Sequence, residues 1–451
     1  MKLLITTVAA VAAVCVTASA EQKPESHGRL VPIEIRAPDG KVPFPRELVT
    51  CGGSSFVHVQ LSSHVYDNAV YRIEGDVSEA VTLEDGAAFK ANVMVPQPGT
   101  PFVFVRTESE RAYFRIENNI AKPVSFDPPV ELGKFYQFFH GRSGDFFWDG
   151  NTASLYRITG TSAKRLETKL FHGARYIAVA KARDGWIVSC DPAENSPQFR
   201  LLYIGADLEV QQLELPEVLD GDQKRVEADS LQVASTRRDA FVCATFNLEG
   251  HVYIVREGKL KPVTHANGRA IIDADFGSFE AAGESLYFAS ANEAGEHVLW
   301  RRADDGSMTE LDLEGMFLVI ARGDHDSIAV RSSDFDDRRV YLIRDDLVVK
   351  VEHQSDEPEA GFDDFRLGEN SAWGISNDLQ EHRAVLYHVD AVGNVEPAKL
   401  SDGTAITSDT SVKRSPTGAG IFEGMELLGD GNQLYLRWWN REGCRLFRLA
   451  D

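Results

Sequence analysis

The stretch Gly250–Thr264 reads G-H-V-Y-I-V-R-E-G-K-L-K-P-V-T. Val252, Tyr253, Ile254 and Val255 are β-branched or aromatic and suit a pleated, half-buried surface. Glu257-Gly258 supplies a turn, with a glycine free to take positive φ. Leu260, Pro262 and Val263 open a second strand. Pro262 has no N–H to give to a ladder, so that strand belongs at a sheet edge. The unit is a β-hairpin, and it recurs along the chain.

Aligned on the aromatic of the first hairpin strand, the copies fall at Tyr71, Tyr113, Tyr156, Tyr203, Tyr253, Trp300, Tyr341, Tyr387 and Phe447. Successive position differences are 42, 43, 47, 50, 47, 41, 46 and 60. A period in the forties is the length of one four-stranded propeller blade. An upstream strand with its own bulky residue precedes most anchors, as at Phe56, Phe104, Trp186, Phe241, Tyr287, Trp373 and Tyr435. Outer strands are expected after the anchors, at 80–83, 123–126, 213–215, 311–313 and 348–351. The repeat reads a-b-c-d.

The ends of the chain carry the topology. The last copy stops at Asp451, directly after its c strand. Leu30–Ile35, L-V-P-I-E-I, has no a, b or c before it, and its Val-Pro-Ile matches Lys261-Pro262-Val263 and Lys122-Pro123-Val124. This N-terminal strand is expected to complete the last blade and close the ring, removing exposed sheet edges. The pattern resembles the β-propeller superfamily over nearly the whole chain after residue 20. The repeats carry no WD dipeptide signature, kelch di-glycine or tryptophan-docking motif, so the resemblance stops at the superfamily. It implies an all-β, single-domain closed propeller of eight or nine four-stranded blades over residues 21–451. Two packed β domains are the competing arrangement; unbroken spacing and the displaced closing strand argue against it. Residues 401–419, rich in Ser, Thr, Asp and Gly, read as an insertion or mobile loop.

Residues 1–20 read as a secretory signal peptide: Lys2, an apolar run from Leu3 to Val16, and Ala18-Ser19-Ala20 before Glu21. No other long apolar run is present, which implies a secreted or periplasmic protein without a membrane span. The formal charge of −22 sets an acidic overall field that disfavours nucleic acid as a partner. Cys51, Cys190, Cys243 and Cys444 form no CxxC metal pattern. Topology allows a Cys190–Cys243 and a Cys51–Cys444 pair, against buried free thiols as the plainer reading.

No nucleophile elbow, H-E-x-x-H helix, Walker loop or dinucleotide fingerprint occurs in the sequence. Asp-rich loops at 304–306, 323–326 and 333–337 offer hard oxygen ligands, though Asp also favours turns by bonding its own backbone. Acids also recur ahead of the expected inner strands: Glu227, Asp273, Glu314, Asp363 and Glu423, with His172 and Arg175 in the copy that lacks one. Equivalent positions in a closed repeat would ring one mouth of the channel and form a ligand-binding site there. Such a ring would hold Ca²⁺ or Mg²⁺, or a cationic organic ligand, unless its acids are solvated turn residues. The function expected is an exported binding or scaffold protein that uses loops around the channel. The alternative is a hydrolase or lyase acting on carbohydrate or a small ester, with His172 as base and Arg175 as anion contact. Processing at the signal sequence predicts a mature N-terminus at Glu21. Mass spectrometry of the exported chain checks this, and an N-terminus at Met1 would contradict it.

Overall fold

The computed structural model describes residues 28–450, apart from 39–42, 52–53, 63–66, 92, 96–102, 108–111, 131–135, 142–143, 167–169, 172–173, 193–198, 220–224, 315–316, 324–325, 333–338, 352–361, 379–382, 410–423, 431–432 and 441–442. Among them, nine antiparallel sheets follow one another along the chain, each ordered a-b-c-d. Among the described residues, helix is limited to one short 3₁₀ turn, Phe276–Ser278. Blade 5, which contains the hairpin quoted first, is Ser230–Ser235, Ala240–Phe246, Glu249–Arg256 and Lys259–Pro262. The a strands form the inner ring: Phe44–Cys51 lies against Val93–Val95, Asp364–Leu367 against Gly424–Asp430, and Gly424–Asp430 against Phe44–Cys51.

The core is a set of layers between blades. Blade 5 sends Val242, Tyr253 and Val255 into one layer with blade 4, and Phe241, Val252 and Ile254 into another with blade 6. Alternation along each strand assigns neighbouring residues to opposite faces, and here both faces are buried. Nine such clusters occur among the described residues, one per consecutive pair of blades. The ninth packs the last blade on the first through Tyr435 and Leu446 against Val57, Val59, Tyr71 and Ile73.

The N-terminal strand sits where the sequence places it. Arg29–Pro32 pairs antiparallel with the last strand, Gly443–Ala450, as the fourth strand of that sheet. The next residues reach the first blade: Ile33 N–H donates to Leu446 C=O (2.9 Å), then Glu34 N–H donates to Asp76 C=O (3.0 Å). The same step recurs at blades 1 and 2. Thr82–Leu83 leaves blade 1 to run parallel to Ile120–Ala121, and Ser125–Asp127 leaves blade 2 to run parallel to Ser162–Lys164. The outer strands therefore start earlier than expected, as Val77–Ala80, Ile120–Pro123, Val210–Leu213, Met308–Glu314 and Leu347–Lys350.

All nine anchors lie on c strands, but two of them face the wrong way. Seven, including Tyr71, Tyr253 and Phe447, pack toward the preceding blade. Tyr113 and Tyr203 pack toward the following one. Register identifies their neighbours as the true equivalents: Phe114 faces Pro123 and Leu202 faces Gln212, as Tyr253 faces Pro262. A one-residue slip exchanges the faces of a strand, and spacing alone does not detect it.

Cys190, Cys243 and Cys444 are free thiols, so neither disulfide forms. Cys190 lies in the layer between blades 3 and 4 and Cys243 in the layer between blades 5 and 6, on opposite outer faces of adjoining blades. Burial pushes both thiols up to about 12, which keeps them protonated and unreactive.

The closing strand predicts its own test. Leu30 and Ile33 are buried against the last and first blades. Leu30→Ala and Ile33→Ala should each cost about 2–5 kcal/mol, and deleting residues 21–36 should lower the melting temperature further. An unchanged denaturant midpoint in the deletion would show that the strand contributes nothing.

Candidate functional site

His172 and Glu423 lie outside the described residues. Arg175 is the second residue of the inner strand Ala174–Lys181, and Glu314 is the last residue of Met308–Glu314; only their backbone is described. Glu227 and Asp363 are exposed, each within three residues of the start of an inner strand. Asp273 is half-buried and accepts the Ser290 hydroxyl at 2.5 Å and the Ala291 N–H at 3.2 Å. These three acids do not share one register. The N–H of Asp363 donates to Ile375 C=O as Asp229 does to Thr245 C=O and Asp275 to Ala289 C=O. Glu227 and Asp273 stand two residues upstream of that position.

The described parts of the Asp-rich loops are turns. The Asp305 carboxylate takes both the hydroxyl (2.7 Å) and the N–H (2.8 Å) of Ser307, bonds that hold it below the usual carboxylate range. Asp326 accepts the Glu284 N–H and faces Arg301 at 3.5 Å. Residues 324–325 and 333–338 are outside the described set. Among the described residues no three His, Cys, Asp or Glu side chains gather as a cation site would need.

Charges on the inner strands link blades. Arg322 of blade 7 bridges Glu280 of blade 6 at 2.8 Å; burial pushes the Glu280 carboxyl up, against the pull of Arg322. The Asp364 carboxylate of blade 8 accepts the Leu427 N–H of blade 9 at 3.1 Å, and Arg437 of blade 9 donates to the carbonyls of Pro45 and Arg46 in blade 1.

A concavity lies at the rim instead. A groove of about 900 Å³ opens between the outer strands of blades 4 and 5. Its floor is apolar, with Phe199, Leu201, Leu215, Val226, Phe246 and Leu260. Its lining also carries Glu214, Glu217 and Glu227 against one ammonium, Lys259. All four charged residues are exposed. The groove follows from ring geometry. Outer strands splay, and at several other interfaces the chain occupies the wedge, with the parallel strands described above or with D/N-G hairpins bridged at Thr82–Ala88, Thr264–Ala270 and Lys399–Ala405; beside the last of these a second concavity, of about 790 Å³, remains between blades 8 and 9. Between blades 4 and 5 the connection is the run 214–229, which includes the hairpin Val218–Leu219/Arg225–Val226. Of the groove's acids, the recurrence ahead of inner strands finds Glu227 and misses Glu214 and Glu217. The signal available for those was the run V-Q-Q-L-E-L-P-E at 210–217, which has Gln where other outer strands have Pro.

No family model matches the sequence, and no curated protein matches it. Among solved structures, apo AztD from Citrobacter koseri is similar at 10% identity, covering 81% of this chain and 96% of that one, with a TM-score of 0.40. The propeller domain of the Trilobed protease from Pyrococcus furiosus is similar at 9% identity over 91% and 95%, with a TM-score of 0.37. A puromycin hydrolase is similar at 13% identity over 88% of this chain, with a TM-score of 0.36; the match spans 58% of that chain. The architecture described above rests on the strands and registers themselves.

One buried titratable group gives stability a pH dependence. His58, on the second strand of blade 1, is 7% exposed. Burial pushes its imidazole down to about 4, helped by the Arg46 guanidinium and opposed by the Ala91 backbone. The unfolded chain therefore takes up this proton first, near pH 6.5, and the stabilising effect is complete above that value. Acidification from pH 6.5 to 4 should cost about 3 kcal/mol at this site. Comparing denaturation midpoints at pH 7.5 and 4.5 checks it: His58→Leu should flatten the slope, and an unchanged slope would assign it to other groups.

Proposed function

We propose that the protein is an exported binding protein and that its ligand seat is the rim groove between blades 4 and 5. The observation that carries this is the groove itself: an apolar floor beside three carboxylates and one ammonium. A volume of about 900 Å³ lies within the range of ligand-binding clefts. Apolar area supplies affinity, and the acidic lining selects a ligand bearing positive charge. The acidic overall field, −22 over the chain, works in the same direction and against polyanions. Export rests on the signal-like residues 1–20.

Fluorescence titration with an amphiphilic cationic dye, and with an anionic dye of matched size, tests the reading. The cationic dye should saturate one site per chain. The double variant Glu214→Lys with Glu217→Lys should weaken it roughly tenfold, the scale of two charge contacts at a partly exposed site. Equal affinity in wild type and variant, or equal binding of both dyes, would falsify the assignment.

A further inference from the structure

We infer that the groove takes an extended peptide with alternating basic and apolar residues, which adds a strand to the open edge of blade 4. This rests on the groove being the ligand seat and names the ligand's class.

The argument is about which backbone groups face outward. The outer strand Val210–Leu213 is the last in its sheet. Gly205 N–H donates to Glu209 C=O, so the hydrogen-bonded pairs alternate to Tyr203–Gln211 and Leu201–Leu213. Gln212 pairs with Leu202 in the non-bonded position, and its N–H and C=O point away from the sheet, on the groove side. The equivalent outward position is Pro32 in blade 9, Pro123 in blade 2, Pro262 in blade 5 and Pro397 in blade 8. It is Arg165 in blade 3, Glu310 in blade 6 and Lys350 in blade 7. Proline and charge are the usual means of keeping a foreign strand off an edge. Blade 1 has Ala80, directly before the segment that crosses to blade 2. Among the described residues, blade 4 combines at this position an uncharged residue, an outward N–H and a groove in front of it; the groove between blades 8 and 9 faces Pro397 instead.

The fold also shows that these edges accept another strand where no such residue blocks them. Thr82–Leu83 and Ser125–Asp127 are parallel fifth strands on blades 2 and 3, and their pairing, with Ile120–Ala121 and Ser162–Lys164, stops short of Pro123 and Arg165. A peptide on Gln212 and Glu214 would use the same backbone chemistry, with main-chain bonds giving affinity and alternate side chains giving selectivity. Its apolar side chains would meet Phe199, Leu215 and Leu260, and its basic ones Glu214 and Glu217.

The probe is a labelled Lys–Leu alternating peptide of about ten residues, read by fluorescence anisotropy on the full protein, beside its Glu–Leu counterpart. Two changes isolate the edge. One is N-methylation of every second peptide nitrogen, in either phase, which needs no variant protein. The other is Gln212→Pro, which removes an outward N–H and leaves the ladder to the neighbouring strand intact. The Lys–Leu peptide should bind and slow amide exchange at Gln212 and Glu214. One methylated phase, and Gln212→Pro, should each weaken it roughly tenfold. If both methylated phases and Gln212→Pro bind as the originals do, edge pairing is overturned. If the cationic dye binds at the groove and no peptide does, the peptide class fails and the groove stands. If neither binds, the groove assignment falls with it.

Discussion

A sheet that is apolar on both faces needs a neighbour on each side. That constraint governs every blade here. The layer between the last and first blades buries nine residues, among them Tyr71, Val57, Val59, Ile73 and Leu446. At about 1.5–3 kcal/mol for each large side chain, exposing that layer would cost on the order of 10 kcal/mol as an upper estimate. Whole domains are stable by a similar amount. A chain of nine such blades is therefore stabilised by packing its end blades on each other, and the short segment from Arg29 to Glu34, paired into both end blades, has weight well beyond its length.

With the faces occupied by neighbouring blades, the outer edges remain. They are handled by several devices that do one job. Proline at the outward position removes a donor in four blades, and charged side chains occupy it in three. Crossing segments cover two edges with a fifth strand. D/N-G hairpins fill three of the wedges between splayed outer strands; in each, the glycine at 86, 268 or 403 has φ above +80°, a conformation that a side chain would strain. Blade 4 departs from this scheme at Gln212, and the groove lies against that departure.

The period of the repeat was readable because one bulky residue per blade must fill each layer. Blade order and a count of eight or nine followed from that spacing, the place of Leu30–Ile35 followed from its likeness to other outer strands, and nine blades are present. What spacing could not convey is parity. Tyr113 and Tyr203 have the right residue type one position early or late, and each faces the opposite layer from Tyr253. The same blindness affected the recurring acids. Glu227, Asp273 and Asp363 share a sequence neighbourhood, but backbone bonding groups Asp363 with Asp229 and Asp275. The groove as a shape was not legible, because it arises from how two outer strands splay; the sequence signalled only its acids, Glu227 by recurrence and Glu214 and Glu217 in the run 210–217.

Charge completes the division between scaffold and site. An aromatic–Arg dipeptide recurs on the c strands, and three of its arginines reach the next blade. Arg115 donates to Gly160 C=O at 2.7 Å, Arg301 pairs with Asp346 at 2.7 Å, and Arg448 pairs with Asp76 at 2.7 Å. Short acids are absorbed in the same way. Asp85, Asp207, Asp305, Asp390 and Asp402 each accept the N–H two residues ahead, closing their own turns. Glutamate, with one more methylene, closes that local ring poorly and extends outward instead. Glu214 and Glu217 follow the outer strand of blade 4, exposed on the groove lining. The residue type that closes these turns is thus Asp, and the type left exposed at the rim groove is Glu.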